Sequence, residues 1–228
     1  FILVKGNMVV NGRTERPFIF TAKDGSNSGI IINNGKENIA KFKNVVFDGL
    51  GSPKNSYNNL TGAITLYESN ASIIDSRFLN NKSGDDYVNG IRSNVILRNL
   101  SFKNIISDAI DLDFCEGKLK NLYFENIGND ALDFSGSNLK ISFIKALFIG
   151  DKGISAGEGS NIEISDIEVY NAKIGIASKD SSIVSVQRAK FNSNDHDYAA
   201  YNKKNEYKGG KLYVDKYGEG PILLLKDE

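Results

Sequence analysis

A short apolar pattern recurs along the chain and restricts the folds open to it. Four positions, spaced x, x+2, x+5 and x+7, are apolar or small in seven successive segments. Spacing by two indicates a strand whose alternate side chains face one way, and the extra residue before x+5 indicates a bend between two short strands. The last positions of successive quartets lie 31, 24, 22, 22, 23 and 22 residues apart. The quartets are Ala40/Phe42/Val45/Phe47, Ala71/Ile73/Ser76/Phe78, Val95/Leu97/Leu100/Phe102, Gly117/Leu119/Leu122/Phe124, Leu139/Ile141/Ile144/Ala146, Ile162/Ile164/Ile167/Val169 and Val184/Val186/Ala189/Phe191.

A third strand is predicted seven or eight residues before most of the quartets. Its inward pairs are Ile64/Leu66, Ile110/Leu112, Leu132/Phe134, Ile154/Ala156 and Ile176/Ser178. Three strands in 22 to 24 residues predict an all-β chain folded as a right-handed parallel β-helix, a solenoid whose coils stack about 4.8 Å apart. Leucine-rich repeats share this period, but the chain lacks their helical stripe, and a left-handed β-helix would show a six-residue rhythm.

Asparagine follows several quartets and marks the next corner of the coil. These residues are Asn80, Asn104, Asn126 and Asn171. Asn tolerates left-handed backbone geometry, and stacked Asn amides can form a ladder across coils. The alternative is an ordinary turn role in an Asn-rich chain, and both interpretations place a corner here.

The whole chain, residues 1–228, is predicted to form a single β-helix domain. We expect irregular coils or a cap over residues 1–35, regular coils over 36–197, and a C-terminal coil with a cap over 198–228. Caps are expected because the open ends of a solenoid expose strand edges that invite aggregation.

Charge and hydropathy exclude several classes of partner. The 28 basic and 28 acidic residues give a net charge of zero, so no overall field attracts nucleic acid or anionic lipid. The longest apolar runs fall far short of the roughly 20 residues that a spanning helix needs, so membrane insertion is not expected. Cys115 is the only cysteine, which excludes an internal disulfide framework and a Cys-based zinc site.

Four phrases of the sequence carry a family resemblance: SDAIDLDF, GNDALDFSGS, GDKGISAGEGS and GIASKD. With the coil pattern, they resemble the bacterial right-handed parallel β-helix repeat proteins of the pectate-lyase-like superfamily, over roughly residues 30–215. The resemblance implies an extracellular or cell-surface protein that binds, cleaves or epimerises acidic polysaccharide. No intact catalytic signature of the polygalacturonase type is present, and the single histidine, His196, lies outside the acidic phrases. The opening FILVKGNMVV contains no signal peptide, so we expect a processed piece of a longer protein with further domains.

The phrases SDAIDLDF and NDALDFSG place aspartates in register on neighbouring coils. Asp111 is expected directly beneath or above Asp133, in a column that points outward and continues Thr65, Asn89, Asp111, Asp133, Ser155, Ala177. Flanking columns are expected to hold Asp86, Asp108, Asp130 and Lys152 on one side and Asp113, Ser135, Gly157 and Lys179 on the other. Two carboxylates about 5 Å apart repel by roughly 3 kcal/mol at an effective dielectric near 20. A bound cation, nearby Lys and Arg, or a raised pKa could relieve this repulsion.

Several site roles follow from this column. Ca²⁺ is a possible cofactor because it prefers several carboxylate oxygens, with Asp108, Asp111, Asp130 and Asp133 as candidate ligands. Abstraction of the proton next to a uronate carboxylate needs a base and a neutralising cation. Lys152 or Lys179 could be the base and Arg92 the neutraliser. A glycoside hydrolase would instead use a carboxylate pair, which Asp111 and Asp133 could supply.

A purely structural role is the alternative for the same residues. Asp can cap backbone amides at a corner, and an Asp/Lys ladder can fix strand register. Coils of 22 or 23 residues also leave little room for the loops that wall a cleft, apart from the 31-residue coil with its insertion at 50–59. We therefore expect an exported module that interacts with acidic polysaccharide, as a lyase, epimerase, hydrolase or binder. The competing hypothesis is a non-catalytic spacer or surface segment of a larger protein.

Overall fold

The computed structural model describes residues 1–22, 28–53, 60–81 and 83–215, and the backbone of 222–226. This part of the chain contains 21 β-strands and no helix, and so no helix that could span a membrane. The strands are β1 (Ile2–Val4), β2 (Met8–Asn11), β3 (Phe18–Thr21), β4 (Ile30–Ile32), β5 (Ile39–Lys43), β6 (Val45–Asp48), β7 (Gly62–Tyr67), β8 (Asn70–Leu79), β9 (Asp86–Ile91), β10 (Asn94–Ile105), β11 (Asp108–Asp113), β12 (Glu116–Ile127), β13 (Leu132–Ser135), β14 (Asn138–Ile149), β15 (Lys152–Gly157), β16 (Asn161–Tyr170), β17 (Ile174–Lys179), β18 (Ile183–Asn192), β19 (His196–Tyr201), β20 (Lys211–Val214) and β21 (Ile222–Lys226).

The strands alternate between two long sheets, which confirms the predicted parallel β-helix. Sheet A has nine strands in the order β1-β4-β7-β9-β11-β13-β15-β17-β19. Sheet B runs β2-β5-β8-β10-β12-β14-β16-β18-β20-β21, with β3 and β6 beside it. Neighbouring strands are parallel throughout, except for the antiparallel pair β20 and β21. From β7 onward, each coil therefore contributes one strand to each sheet and stacks on the coil before it, whereas the two preceding coils contribute two short strands each to sheet B.

The two short strands predicted for each quartet form one continuous strand of sheet B in most coils, with a bend at x+4. The bend residue has a left-handed backbone in five coils. These residues are Asn44, Asp75, Asn99, Asn121 and Phe143, with φ between 51° and 59°. Only the first of these coils breaks into separate strands, β5 and β6. One left-handed residue thus turns the chain without ending the hydrogen-bonded ladder.

The core lies between the sheets and is filled by the predicted inward positions. Side chains of one quartet position stack on those of the next coil, as Leu97 pairs with Leu119 and Leu100 with Leu122. The last quartet position carries a column of phenylalanine rings, with centroids 4.9 Å apart for Phe47 and Phe78 and 4.2 Å apart for Phe78 and Phe102. Stacked rings attract each other, and this attraction stabilises the structure in addition to the burial of their apolar area. The column of rings therefore fixes the coils in register.

An asparagine ladder forms at the corner after the quartets, which is the first of the two alternatives that the sequence left open. The Nδ2 of Asn104 donates to Oδ1 of Asn80 at 3.0 Å, and Nδ2 of Asn126 donates to Oδ1 of Asn104 at 2.9 Å. All four predicted corner residues, including Asn171, have positive φ. The residues therefore supply both the left-handed corner and hydrogen bonds between coils.

A second, hydroxyl ladder at the opposite corner was not predicted. One backbone N–H in each coil donates to the side chain of the corresponding residue in the next coil, as Cys115 N does to Ser137 Oγ at 2.9 Å. The same hydroxyl of Ser137 donates to the carbonyl of Leu112 at 2.8 Å. The residues of this ladder are Ser69, Ser93, Cys115, Ser137, Ser160 and Ser182, all buried. Buried corner amides are thereby satisfied.

The first described strands add a further coil of parallel structure. β1 pairs with β4, β2 with β5 and β3 with β6. Large apolar side chains remain exposed on this coil: Phe1 59%, Ile2 42%, Leu3 48%, Val9 60%, Phe18 48% and Ile19 57%. At the other end of sheet B, β21 covers β20 in antiparallel pairing. The two ends of the solenoid thus differ in how their strands are covered.

Candidate functional site

The aspartates of the two acidic phrases lie on neighbouring strands in direct register. Asp111 of β11 pairs with Asp133 of β13, and the column extends to Asn89 on one side and Ser155 on the other. The Nδ2 of Asn89 donates to Oδ2 of Asp111 at 3.3 Å. The stacking of the two acidic phrases, predicted from the repeat alone, is therefore confirmed.

This column is much less accessible than an outward-facing surface would be. Thr65 and Ser155 are 0% exposed, and Asn89 is 3% exposed. Asp111 and Asp133 are half-buried. Strands β7, β9, β15 and β17 are buried along nearly their whole length, on both faces. The acidic column therefore occupies a shielded position along sheet A.

The flanking aspartates cap backbone amides between coils. Asp108 Oδ1 accepts hydrogen bonds from the backbone N–H of Asp130 and from Nδ2 of Asn129, both at 2.7 Å. Asp130 Oδ1 accepts from the backbone N–H of Lys152 at 2.8 Å. These bonds recur from coil to coil, so Asp108 and Asp130 hold the corner that leads into sheet A.

Burial and mutual repulsion raise the pKa of several of these carboxyl groups. Burial, followed by the charges of Asp86, Asp113, Asp133 and Asp108, raises the pKa of Asp111 to about 9. Burial is also the main cause that raises the pKa of Asp86 and Asp130 to about 7 and that of Asp108 to about 6. Asp111 is therefore protonated at neutral pH, which removes one charge from the crowded column.

Two lysines supply the remaining neutralisation. The ammonium of Lys152 lies 3.5 Å from Asp130 Oδ1 and also pairs with Asp151. Burial lowers the pKa of Lys152, but the charge of Asp130 and the hydrogen bond with Asp151 outweigh it, and the net pKa is raised. The ammonium of Lys179 lies 3.9 Å from Asp133 Oδ1 and its side chain is only 7% exposed. Both lysines thus act as counter-ions in the structure.

Arg92 lies apart from this group. It follows β9 at the corner of the coil, with φ of 50°, and its guanidinium lies 5.7 Å from the ring centroid of Phe114. Arg92 lines a surface hollow with Asn70, Asn94 and Glu116 rather than the acidic column. Its predicted role as neutraliser of a substrate carboxylate therefore has no support from its position.

The predicted metal ligands occupy two kinds of position. Asp111 and Asp133 lie in register on β11 and β13, whereas Asp108 and Asp130 cap backbone amides at the corner that leads into sheet A. Among the described residues, no three Asp, Glu, His or Cys side chains form a group that could hold a metal ion. Two buried oxygens on strands of sheet A, Asp86 Oδ2 and Ser155 Oγ, make no hydrogen bond within the described chain. A calcium site here stays a prediction of the sequence.

A second, basic surface lies on the outside of sheet B and was missed in the sequence analysis. Two rows of outward positions cross β5, β8, β10, β12 and β14 in register. The first row is Lys41, Ser72, Ile96, Lys118 and Lys140, and the second is Lys43, Ile74, Arg98, Lys120 and Ser142. The basic face is defined here as the six cations of these rows. Neither row contains an acid from β5 to β14, and the first row continues on β16 with Glu163.

The cations of the basic face are largely unpaired. Lys140 forms an ion pair with Glu163 at 3.0 Å. In the part of the chain that the structure describes, the other five cations make no ion pair. Neighbouring coils stack about 4.8 Å apart, and like charges at that spacing repel by about 0.9 kcal/mol even in water. The rows therefore favour a polyanion that can neutralise several of them together.

A shallow groove of about 640 Å³ continues the basic face toward the C-terminal coils. Its walls include Lys118, Lys120 and Lys140. The other lining residues are the polar Ser142, Ser165, Ser185 and Gln187, the acidic Glu163 and Asp215, and the apolar Leu119, Ile141, Ile164 and Val186. The groove combines cations with groups that donate to and accept from hydroxyls. The signal for it in the sequence was the alternation of Lys with apolar residues, as in GKLKN and NLKIS.

The fold and these two surfaces define a parallel β-helix protein with a shielded acidic column on sheet A and an exposed basic face on sheet B. No protein-family model, curated protein or solved structure gives a significant match to the chain.

Proposed function

We propose that the protein is a polysaccharide-binding module that holds an acidic polymer along the basic face. The observation that carries the proposal is the pair of cationic rows in register, five of whose six cations have no ion-pair partner within the described chain. A uronate-containing chain carries one carboxylate on each acidic sugar. If it lies along the solenoid axis, its carboxylates meet a new coil about every 4.8 Å, and β5, β10, β12 and β14 each present at least one cation of the rows, whereas β8 presents Ser72 and Ile74.

The groove favours a sugar polymer among polyanions. Ser142, Ser165, Ser185 and Gln187 provide short hydroxyl and amide groups beside the cations. Such groups match the hydroxyls of a pyranose, which both donate and accept hydrogen bonds. The net charge of zero gives no long-range attraction to nucleic acid, so local groups decide the ligand.

The acidic column is assigned a structural role in this proposal. A base that abstracts a proton must be neutral, whereas the contacts of Lys152 with Asp130 and Asp151 favour its charged form. The column is also shielded, since Thr65 and Ser155 are fully buried beside it. Lyase, epimerase or hydrolase activity is therefore not part of the function that we propose.

An extracellular or cell-surface location in a bacterium belongs to the same proposal. Acidic polysaccharides are polymers of cell envelopes and extracellular matrices. The sequence phrases SDAIDLDF and GNDALDFSGS also resemble those of secreted β-helix repeat proteins. Both considerations support a location outside the cell, where such polymers occur.

The proposal is tested by removing two cations from the centre of the basic face. The double variant Lys118→Gln/Lys120→Gln is expected to weaken binding of polygalacturonate oligomers by about 5- to 30-fold, because each exposed charge contact contributes about 0.5–1 kcal/mol. The matched control is Lys173→Gln/Lys190→Gln, which removes two exposed lysines outside the rows and should bind like the wild type. Isothermal titration calorimetry at two salt concentrations gives both affinities and their salt dependence.

Two outcomes would contradict the proposal. The first is a wild-type protein that binds neutral dextran as well as it binds polygalacturonate. The second is a wild-type protein that binds no polyuronide, which would favour the alternative of a non-catalytic spacer. That alternative is supported by the uninterrupted ladders of side-chain hydrogen bonds that stiffen the solenoid.

A further inference from the structure

The coil that contains β14 differs from its neighbours at the bend of sheet B. Phe143 occupies the left-handed bend position with φ of 59°. The preceding coils place Asn44, Asp75, Asn99 and Asn121 there. Asn and Asp adopt this conformation readily, whereas a bulky residue with positive φ is an outlier that costs stability. A phenylalanine at this position is therefore unfavourable for the backbone.

The same residue also interrupts a hydrogen-bonded ladder. The Nδ2 of Asn99 donates to Oδ1 of Asp75 at 2.7 Å, and Nδ2 of Asn121 donates to Oδ1 of Asn99 at 3.0 Å. A phenyl ring cannot continue this series. Beyond it, Asp166 is paired with Arg188 instead. Phe143 therefore costs stability in two ways: its backbone is strained, and it makes no side-chain hydrogen bond in the ladder between coils.

The ring of Phe143 gains little from the protein in return. Its side chain is 53% exposed. Within the described residues it takes part in no ring–ring or cation–π contact. A large apolar ring that is strained and open to solvent is available to a ligand, and its position relative to the basic face then decides whether a ligand meets it.

Phe143 adjoins the basic face. It directly follows Ser142, the last member of the row that contains Arg98 and Lys120. Lys140 of the other row lies three residues earlier on the same strand. A ligand lying along the rows therefore passes the ring of Phe143 as it reaches β14.

We propose that Phe143 is the stacking platform of the binding site, on which the apolar face of one pyranose ring rests while neighbouring carboxylates meet Lys120 and Lys140. This inference rests on the proposed function and narrows its ligand to polymers with an exposed axial C–H face. Aromatic side chains offer large, rigid area at low entropic cost, and stacking on them tolerates variation along a polymer. Phe143 then determines where along the rows a sugar ring is held.

The chain supplies its own control for backbone strain. Phe148, on the same strand, has φ of 58° and is 58% exposed. It interrupts the corner ladder of Asn104 and Asn126 in the way that Phe143 interrupts the bend ladder. Phe148 lies at the far end of β14 from Lys140, beyond the bend. It shares the conformational cost without adjoining the basic face.

The experiment compares Phe143→Asn with Phe148→Asn in thermal melting and in calorimetric titration with polygalacturonate oligomers. Both substitutions are expected to raise the Tm, because Asn favours the left-handed backbone and can extend the interrupted ladder. Phe143→Asn is expected to weaken binding by about tenfold, the range for one lost stacking contact. Phe148→Asn is expected to bind like the wild type, and Phe143→Tyr to retain most of the affinity.

The outcomes separate the inference from the proposed function. One outcome would contradict only the role of Phe143: the wild type binds polygalacturonate and Lys118→Gln/Lys120→Gln loses affinity, but Phe143→Asn binds like the wild type. Binding along the basic face would then be supported without a stacking platform. Equal loss in both Phe variants also contradicts the role of Phe143. If the wild type binds no polyuronide, the proposed function is contradicted, and the inference about Phe143 is contradicted with it. Tighter binding of single-stranded DNA, dependent on Phe143, would show that the ligand is a nucleic acid and overturn the sugar assignment.

Discussion

Asp111 illustrates how burial changes the chemistry of a residue whose position was predicted. The repeat placed it opposite Asp133, and the paired strands β11 and β13 confirm this register. The repeat did not reveal that the column is shielded, nor that burial and four neighbouring carboxylates raise the pKa of Asp111 to about 9. Whether an outward side chain is accessible depends on what lies across several coils, which spacing within one coil does not encode.

This pKa predicts that part of the stability of the protein is lost as the pH rises. The pKa of Asp111 is about 9 in the folded state, above its ordinary value of 3.8, so folding binds a proton between these values. The contribution of Asp111 to the free energy of unfolding is therefore fully present at low pH and disappears as the pH rises toward 9. Asp86 and Asp130, each with a pKa of about 7, act in the same direction.

The variant Asp111→Asn tests this linkage, because its amide stays neutral at every pH. We expect it to stabilise the protein by about 1–3 kcal/mol at pH 9 and to have little effect near pH 4. The measurement is urea unfolding from pH 4 to pH 9. Asp195→Asn, at an exposed position, is the matched control for loss of one carboxylate. An equal response of the two variants across this pH range would contradict the raised pKa of Asp111.

The serine ladder links each coil to the next through hydrogen bonds between side chains and backbone amides. Ser137 accepts from the backbone N–H of Cys115 at 2.9 Å and donates to the carbonyl of Leu112 at 2.8 Å. Cys115 holds the equivalent position one coil earlier, where its buried thiol accepts from the N–H of Ser93 at 3.4 Å. Burial raises the pKa of this thiol to about 12, so it stays protonated.

Removing one hydroxyl from the ladder is expected to destabilise the protein markedly. Ser137→Ala leaves the buried N–H of Cys115 without its acceptor, which costs about 1–3 kcal/mol. Ser101→Ala removes a half-buried hydroxyl from the outer face of sheet B. It should lower the free energy of unfolding by less than about 0.5 kcal/mol, as is usual for surface substitutions. Denaturant unfolding measures both. Equal effects of the two substitutions would mean that the ladder adds nothing beyond ordinary burial.

The quartets and the ladders were unequally visible in the sequence. Apolar spacing predicted the inward positions because burial demands apolar side chains in every coil. The serine ladder left a signal as well, since its members stand two residues before the first position of each quartet from Ala71 onward. It escaped notice because Ser is common at turns, so no single coil distinguishes a ladder from a turn. The continuous strands of sheet B were missed because a bend residue with positive φ resembles a break between strands.

At the scale of the whole molecule, a net charge of zero conceals two surfaces of opposite sign. The acidic column lies on sheet A and the basic face on sheet B. The sum of charges excluded an overall field but could not show this separation, because it depends on which face each strand turns outward. The repeated acidic phrase is conspicuous in the sequence, whereas the cations without an ion-pair partner in the described chain alternate with apolar residues in β5, β10 and β12.

The N-terminal coil leads to a prediction about self-association of this chain. Val9 and Ile19 are 60% and 57% exposed on β2 and β3, whose pairing partners lie on one side only among the described strands. Strand edges with exposed apolar side chains favour pairing between molecules. The double variant Val9→Lys/Ile19→Lys is expected to lower concentration-dependent association, measured by sedimentation velocity, with a change in Tm of only a few degrees.

Ile106→Lys is the control for this prediction. It replaces an equally apolar residue, 55% exposed, away from this edge and should associate like the wild type. Association that persists unchanged in the double variant would place the contact elsewhere, since two charges on one edge repel the same edge of a second molecule.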